Sequence, residues 1–180
     1  MGAMLWYHEA PWRPQPDDAL LELQSQFLRE NYDLASMLQE HLHSAREAVR
    51  ITESEGDAYG ILDFYREQLA CLERLAQSPP PEEPKKQIEF VREVWKWSGQ
   101  GIGNVLDVTG ASGQNEMDAQ VLGSDDVEKL CGTDRPTRDQ ASAAISRINE
   151  TLGRGQSVCF AFYDSECKPI GWYFVGNTID

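Results

Sequence analysis

Histidine is scarce in this chain. Its three copies are His8, His41 and His43. A Ser–His–Asp or Cys–His arrangement needs a base that can be brought to the nucleophile. With two of the three histidines two residues apart, little is left to supply one. Glu40 and His43 form a single Glu-x-x-His, whereas a carboxylate-bridged di-iron bundle takes that motif from each of two helices. His41 and His43 lie about 200° apart around a helix, too far to chelate one ion together. They read as surface histidines beside acids.

Cysteine is equally sparse and badly spaced for metal. Cys71, Cys131, Cys159 and Cys167 are separated by 60, 28 and 8 residues, whereas zinc ligands pair within two to four. Reduced thiols are expected, with Cys71 and Cys159 buried. No run approaches the ~20 apolar residues of a membrane helix. The first residues lack the basic-then-apolar pattern of a secretory signal, and Trp6 stands where myristoylation wants Ser or Thr. The expected address is cytoplasmic, with no membrane contact.

Gly99-Gln100-Gly101-Ile102-Gly103 follows a helical pattern and has neither the spacing of a dinucleotide loop nor a Gly-Lys-Ser/Thr. It reads as a helix stop. Asp107–Asp118 has the length of a calcium loop, but Ala111 replaces a ligand and Ser112 the central glycine. That leaves Asp118, Asp125 and Asp126 as one weak candidate for a cation. No cofactor, metal site or catalytic residue is assigned.

What the chain has is negative charge. Thirty acids stand against 16 Lys and Arg, a formal charge of −14. Residues 1–79 carry 14 acids and 6 bases, and residues 98–134 carry 7 acids against Lys129 alone. The remaining stretches balance, so two regions hold the whole excess. Such a field repels phosphate backbones and attracts a basic surface. It also simply keeps a protein in solution.

At 180 residues with 41% hydrophobic content, one substantial domain or two small ones can bury roughly 70% of the unfolded surface. Residues 5–16, LWYHEAPWRPQP, predict an extended aromatic arm that covers the core or grips a partner. Asp17 and Asp18 open a first helix, and Asp33 caps a second with Leu34, Leu38, His41 or Leu42, Ala45 and Val49 inward. Gly56 and Asp57 stop it and start a third, with Ala58, Ile61, Tyr65, Leu69, Leu72 and Leu75 as its stripe. The short connection makes these two antiparallel.

Pro79–Pro84 is a stiff connector, and a fourth helix runs from there to Ser98. Residues 99–123 predict a long loop with one short strand at Val105–Val108. A short helix from Ser124 to Gly132 and another from about Pro136 to Leu152 follow. A hairpin closes the chain: Val158, Phe160 and Phe162 alternate, Asp164–Pro169 turn, and Ile170, Trp172 and Phe174 return. The predicted fold is α+β, with residues 1–97 helical behind the arm and residues 98–180 mixed, the hairpin joining a small sheet.

The function expected from this pattern is a non-enzymatic acidic protein-binding module, of the immunity, chaperone or phage-inhibitor type, that sequesters or inhibits a basic partner. Candidate contacts are Trp6, Trp12, Asp17, Asp18, Glu22, Asp118, Asp125 and Asp126. Direct nucleic-acid binding is not expected. One alternative is a small enzyme or ligand-binding domain with its site near the 99–123 loop. A structural subunit of an assembly is another.

Overall fold

The computed structural model describes residues 4–57, 59–98, 104–115 and 117–177. Ala58 of the third stripe and the Gly99–Gly103 run lie outside them. The fold is α+β, and of the six α-helices among the described residues four lie within residues 16–98. Among the described residues no helix is long and apolar enough to cross a membrane.

The chain forms two compact units, Phe27–Gly101 and a discontinuous one of Met1–Gln26 with Ile102–Asp180. The sequence division between residues 97 and 98 differs at the N-terminus, and one strand explains why. Residues Leu5–Pro11 form β1, which pairs antiparallel with the last strand, β4 (Pro169–Asn177), from Leu5↔Asn177 to Pro11↔Gly171. The predicted arm is therefore extended but not free; it is an edge strand. Its single proline closes the strand, at a position where the ladder does not suffer.

β4 pairs antiparallel with β3 (Ser157–Tyr163), which pairs in parallel with the two-residue β2 (Gln120–Val121). The strand order is β1-β4-β3-β2. Directly opposed residues share a face. Val158 faces Val175 and Phe160 faces Tyr173, and these join Phe162 against α5 (Ser124–Cys131) and α6 (Arg138–Thr151) through Val127, Ala141, Ala144, Ile145 and Ile148. Trp172 and Phe174 therefore lie on the opposite face from Val158, with Cys159, and all three are buried, while Ile170 is exposed. Alternation names a face only where the other is wet. Here both faces are covered.

Local signals placed most helix ends. Asp33 accepts from Ala35 N at 3.0 Å and Ser36 N at 3.1 Å to cap α2 (Leu34–Glu55). Thr137 and Gln140 form a reciprocal capping box on α6. Gly132 ends α5 with φ 82°, the left-handed region where glycine is favoured. The first helix, α1 (Pro16–Asn31), begins with Asp17 and Asp18 in its first turn.

The expected strand at Val105–Val108 is instead a 3-10 turn over Val105–Asp107. Asn104 Oδ1 accepts from Leu106 N at 2.8 Å. Gln24 Nε2, on α1, donates to the carbonyls of Val105 and Val108 at 2.7 Å each. Carbonyls held in this way are not free to join a ladder.

In the second unit, α2 runs antiparallel to α3 (Leu62–Leu75), tied by Arg46–Glu73 at 3.1 Å and Arg66–Glu53 at 2.8 Å. The fourth helix, α4 (Pro84–Ser98), completes the bundle. Met37, Leu38, Leu42, Leu72, Ile88, Val91, Val94 and Trp95 are buried in it. The tie at Arg46–Glu73 is exposed on both sides, so the apolar stripe rather than the charges holds the hairpin together.

Candidate functional site

Of the eight predicted contacts, all in the first unit, most are engaged within the protein. The ring of Trp6 covers Gly176 so closely that a β-carbon there would stand 2.3 Å from its Cζ2. Trp12 stacks on Trp172 at 5.3 Å and 7°, and Trp172 Nε1 donates to the carbonyl of Arg13 at 3.0 Å. Arg13 pairs in turn with Glu22 at 2.7 Å. Asp17 accepts from the backbone N–H of Ala111 at 2.7 Å. The aromatic arm and the acids beside it thus brace the sheet edge.

Asp125 and Asp126 are exposed in the first turn of α5, and Asp126 lies 3.4 Å from Lys129. Among the described residues no hydrogen bond or ion pair joins them to the other predicted contacts. Asp18 and Asp125 are exposed carboxylates without a partner there.

Asp118 is not at the surface: it is 8% exposed. Its Oδ1 accepts from Thr109 Oγ1 at 2.8 Å, and its Oδ2 from Ser112 Oγ at 2.5 Å, Asn115 N at 3.3 Å and Asn115 Nδ2 at 3.2 Å. These donors, Ser112 foremost, hold the carboxyl below its ordinary value against the opposing pull of burial. A carboxylate so occupied is a weak base and has few lone pairs left for a cation. Among the described residues no group of three acidic, His or Cys side chains could hold a metal ion. A cleft of about 170 Å³ beside it is lined by Gly113, Asn115, Gln120 and Gln156.

Because the folded carboxyl ionises more readily than the unfolded one, its stabilisation is present above the ordinary value of 3.8. It is lost as pH falls through the lowered folded value. We expect Asp118→Asn to cost about 1–3 kcal/mol at neutral pH, since the new amide turns a donor toward donors. The variant should also lose part of the decline in stability below pH ~4. Urea unfolding at neutral and acid pH measures both effects.

A second polar cluster sits at the β1 edge. Glu9 accepts from the Tyr173 hydroxyl at 2.6 Å and pairs with Arg138 of α6 at 2.8 Å. Burial, then the Glu9 carboxylate, pushes the phenol well above its usual value, so it stays a donor and clasps β1 to β4. Cys159 is likewise unreactive: burial, then Asp17, pushes its thiol up to about 12.

The second unit holds two features that the sequence reading missed. At the α2–α3 end, Tyr59 is 87% exposed, Phe64 55%, Ile51 43% and Ile61 36%. Around them residues 51–67 carry Glu53, Glu55, Asp57, Asp63 and Glu67 against Arg66, which is already held by Glu53 and Asp63. The Arg66–Glu53 pair brings the end of α2 beside the start of α3. Asp57 shapes the connection by accepting from Ile61 N at 2.7 Å. Large apolar side chains and unneutralised acids are thereby gathered on one tip.

Between α2, α3 and α4 lies a cleft of about 200 Å³, lined by His41, Ser44, Ala48, Tyr65, Gln68 and Trp97. His41 is partly buried here rather than a plain surface residue, and desolvation lowers its pKa against the opposing field of Glu40. A readable signal existed for Gln68, a polar residue three after Tyr65 and four before Leu72 on the apolar stripe.

No family model matches the chain, and no curated protein or solved structure matches it either.

Proposed function

We propose that this chain is a non-enzymatic protein-binding module that sequesters or inhibits a basic partner, with the α2–α3 tip as its contact surface. The observation that carries the reading is the coincidence of Tyr59, Ile61 and Phe64, solvent-exposed, with five acids and one already paired arginine. Aromatic anchors with a polar surround have the composition of an interface centre and its rim. The acids speed encounter with a cationic surface and disfavour phosphate-bearing ligands. A cytoplasmic address belongs to the same proposal.

This reading moves the contact away from Trp6, Trp12, Asp17 and Glu22, whose side chains are used internally. Asp18, Asp125 and Asp126 remain as sources of long-range attraction.

The test is capture by the immobilised full chain at low and high salt, with bound species identified by mass. A tip variant, Tyr59→Ser with Phe64→Ser, runs in parallel. The expected result is a basic protein retained at low salt, weakened at high salt and lost from the variant. Capture indifferent to both salt and tip would contradict the proposal.

A further inference from the structure

The cleft of the second unit has a chemistry that the protein-binding reading does not use. Its floor is small, with Ala45 and Ala48 on α2, while Tyr65 of α3 and Trp97 of α4 supply aromatic walls. His41 and Ser44 stand nearly one turn apart on the same helix. Larger residues, Met37, Leu38 and Leu42, fill the preceding turns of α2 and are buried. The cleft opens where the α2 side chains become short.

Gln68 is the informative residue. It is 8% exposed, it occupies the apolar stripe of α3, and its carboxamide has no hydrogen-bond partner among the described residues. Neither amide atom is sealed from solvent, since among the described residues the one buried polar side-chain atom without a partner is Asn177 Oδ1. The amide therefore presents its donor and acceptor to the cleft. His41, Ser44 and Tyr65 likewise make no side-chain hydrogen bond to a described residue. His41 and Tyr65 are half-buried and Ser44 is exposed, so Gln68 alone carries the cost: a buried carboxamide without a protein partner is penalised unless something else pairs with it.

The same residues restrict what that ligand is. Among the described residues no lining side chain is an Asp, Glu, Lys or Arg, and desolvation keeps His41 toward its neutral form. Charges at the margin of the cleft are already engaged or outweighed: Glu93 accepts from Trp97 Nε1 at 2.7 Å, Lys96 lies 5.1 Å from the Trp97 ring centroid, and the field of Glu40 at His41 is exceeded by desolvation. A charged ligand would meet no counter-charge among the described lining side chains. The volume of about 200 Å³ is somewhat above the ~150 Å³ that holds a benzene ring, so one substituted ring fits.

We infer that this cleft is a binding site for a small, uncharged, planar ring compound bearing an amide- or lactam-type edge, with Gln68 pairing to that edge and Tyr65 and Trp97 flanking the ring. A carboxamide offers a donor beside an acceptor, the complement of a lactam N–H and C=O. Small pockets of this kind combine apolar walls with a few convergent polar groups.

The experiment is a two-dimensional NMR titration of the full chain with uracil, nicotinamide and benzamide as neutral probes, and with benzoate and toluene as charged and apolar controls. We expect at least one neutral probe to bind with a dissociation constant on the order of a millimolar, within reach of a ligand this small. The shifts should centre on the Gln68 side-chain amide and the Trp97 indole N–H. Gln68→Met should weaken that binding roughly tenfold or more, because the pairing edge is lost. The same variant should raise Tm by about 2–4 °C, because an unpartnered amide has left the interior. Ala48→Leu, which fills the floor, should abolish binding and provides a second variant if Gln68→Met misfolds.

A purely structural Gln68 would not link a gain in stability to a loss of affinity. No saturable shift at these two signals with any neutral probe would overturn the inference. So would equal binding of benzoate or toluene, or binding that survives both substitutions.

Discussion

Changing Tyr59 and Phe64 together to serine should weaken binding of the proposed basic partner by about 2–4 kcal/mol, roughly 30- to 1000-fold, the range seen when central aromatic anchors are truncated. The loss should fall mainly on the dissociation rate, since aromatic contacts act after encounter. Replacing Asp57, Asp63 and Glu67 with their amides should instead slow association and flatten the salt dependence. Stability should scarcely move. Tyr59 is 87% exposed, and the described ring contact of Phe64 is with its neighbour Tyr65 at 5.9 Å, so unfolding in urea should shift by less than about 1 kcal/mol. Separating the two rate constants by surface-based kinetics checks the division of labour between rings and charges.

The other large effect is structural. Trp172→Ala should cost about 3–5 kcal/mol, the usual range for removing a buried tryptophan. Trp172 is 7% exposed, stacks on Trp12 and donates to the Arg13 carbonyl. Its loss opens a cavity where the chain leaves β1 for α1. Denaturant unfolding of the first unit should show a lower midpoint with little change in slope. Trp172→Phe should cost less, because a ring remains to stack and the Arg13 carbonyl lies near solvent. A Trp172→Ala loss below about 1 kcal/mol would mean that Trp12 and the N-terminal segment are not anchored to the sheet, and would restore the idea of a gripping arm.

The contrast between these two sites shows what the amino-acid order could reveal. The cap of α2 and the closing turn were legible because their causes are local: Asp33 accepts from residues two and three further on, and Asp164 Oδ1 accepts from Glu166 N and Lys168 N at 2.9 Å each. Stripes such as Leu38, Leu42 and Ala45 were legible for the same reason. The pairing of Leu5–Pro11 with β4 was not, because its partners lie 160 to 172 residues away and the nearby prolines argue against a strand. Trp6 and Trp12 consequently looked like spare aromatics when they are sheet contacts.

Charge misled in a related way. Asp118 counted toward the acidic excess of residues 98–134, yet Thr109, Ser112 and Asn115 enclose it. A trace of this was visible, since those three residues and Asp118 recur at intervals of three. Net charge sums over a segment and cannot distinguish a solvated carboxylate from one that organises a loop. The tip was hidden for the opposite reason. Ile61 falls on the apolar stripe expected of the third helix, but it precedes that helix, which begins at Leu62. Tyr59 and Phe64 lie outside the stripe, and only their exposure marks them.

Amide hydrogen exchange on the full chain, with and without the partner recovered by salt-sensitive capture, tests the binding surface most directly. Slowed exchange should concentrate on the described amides between Ile51 and Glu67, with α5 and the β1 edge unchanged. Protection centred on Trp6–Glu22 or Ser124–Cys131, with the helical hairpin end left as before, would contradict the account.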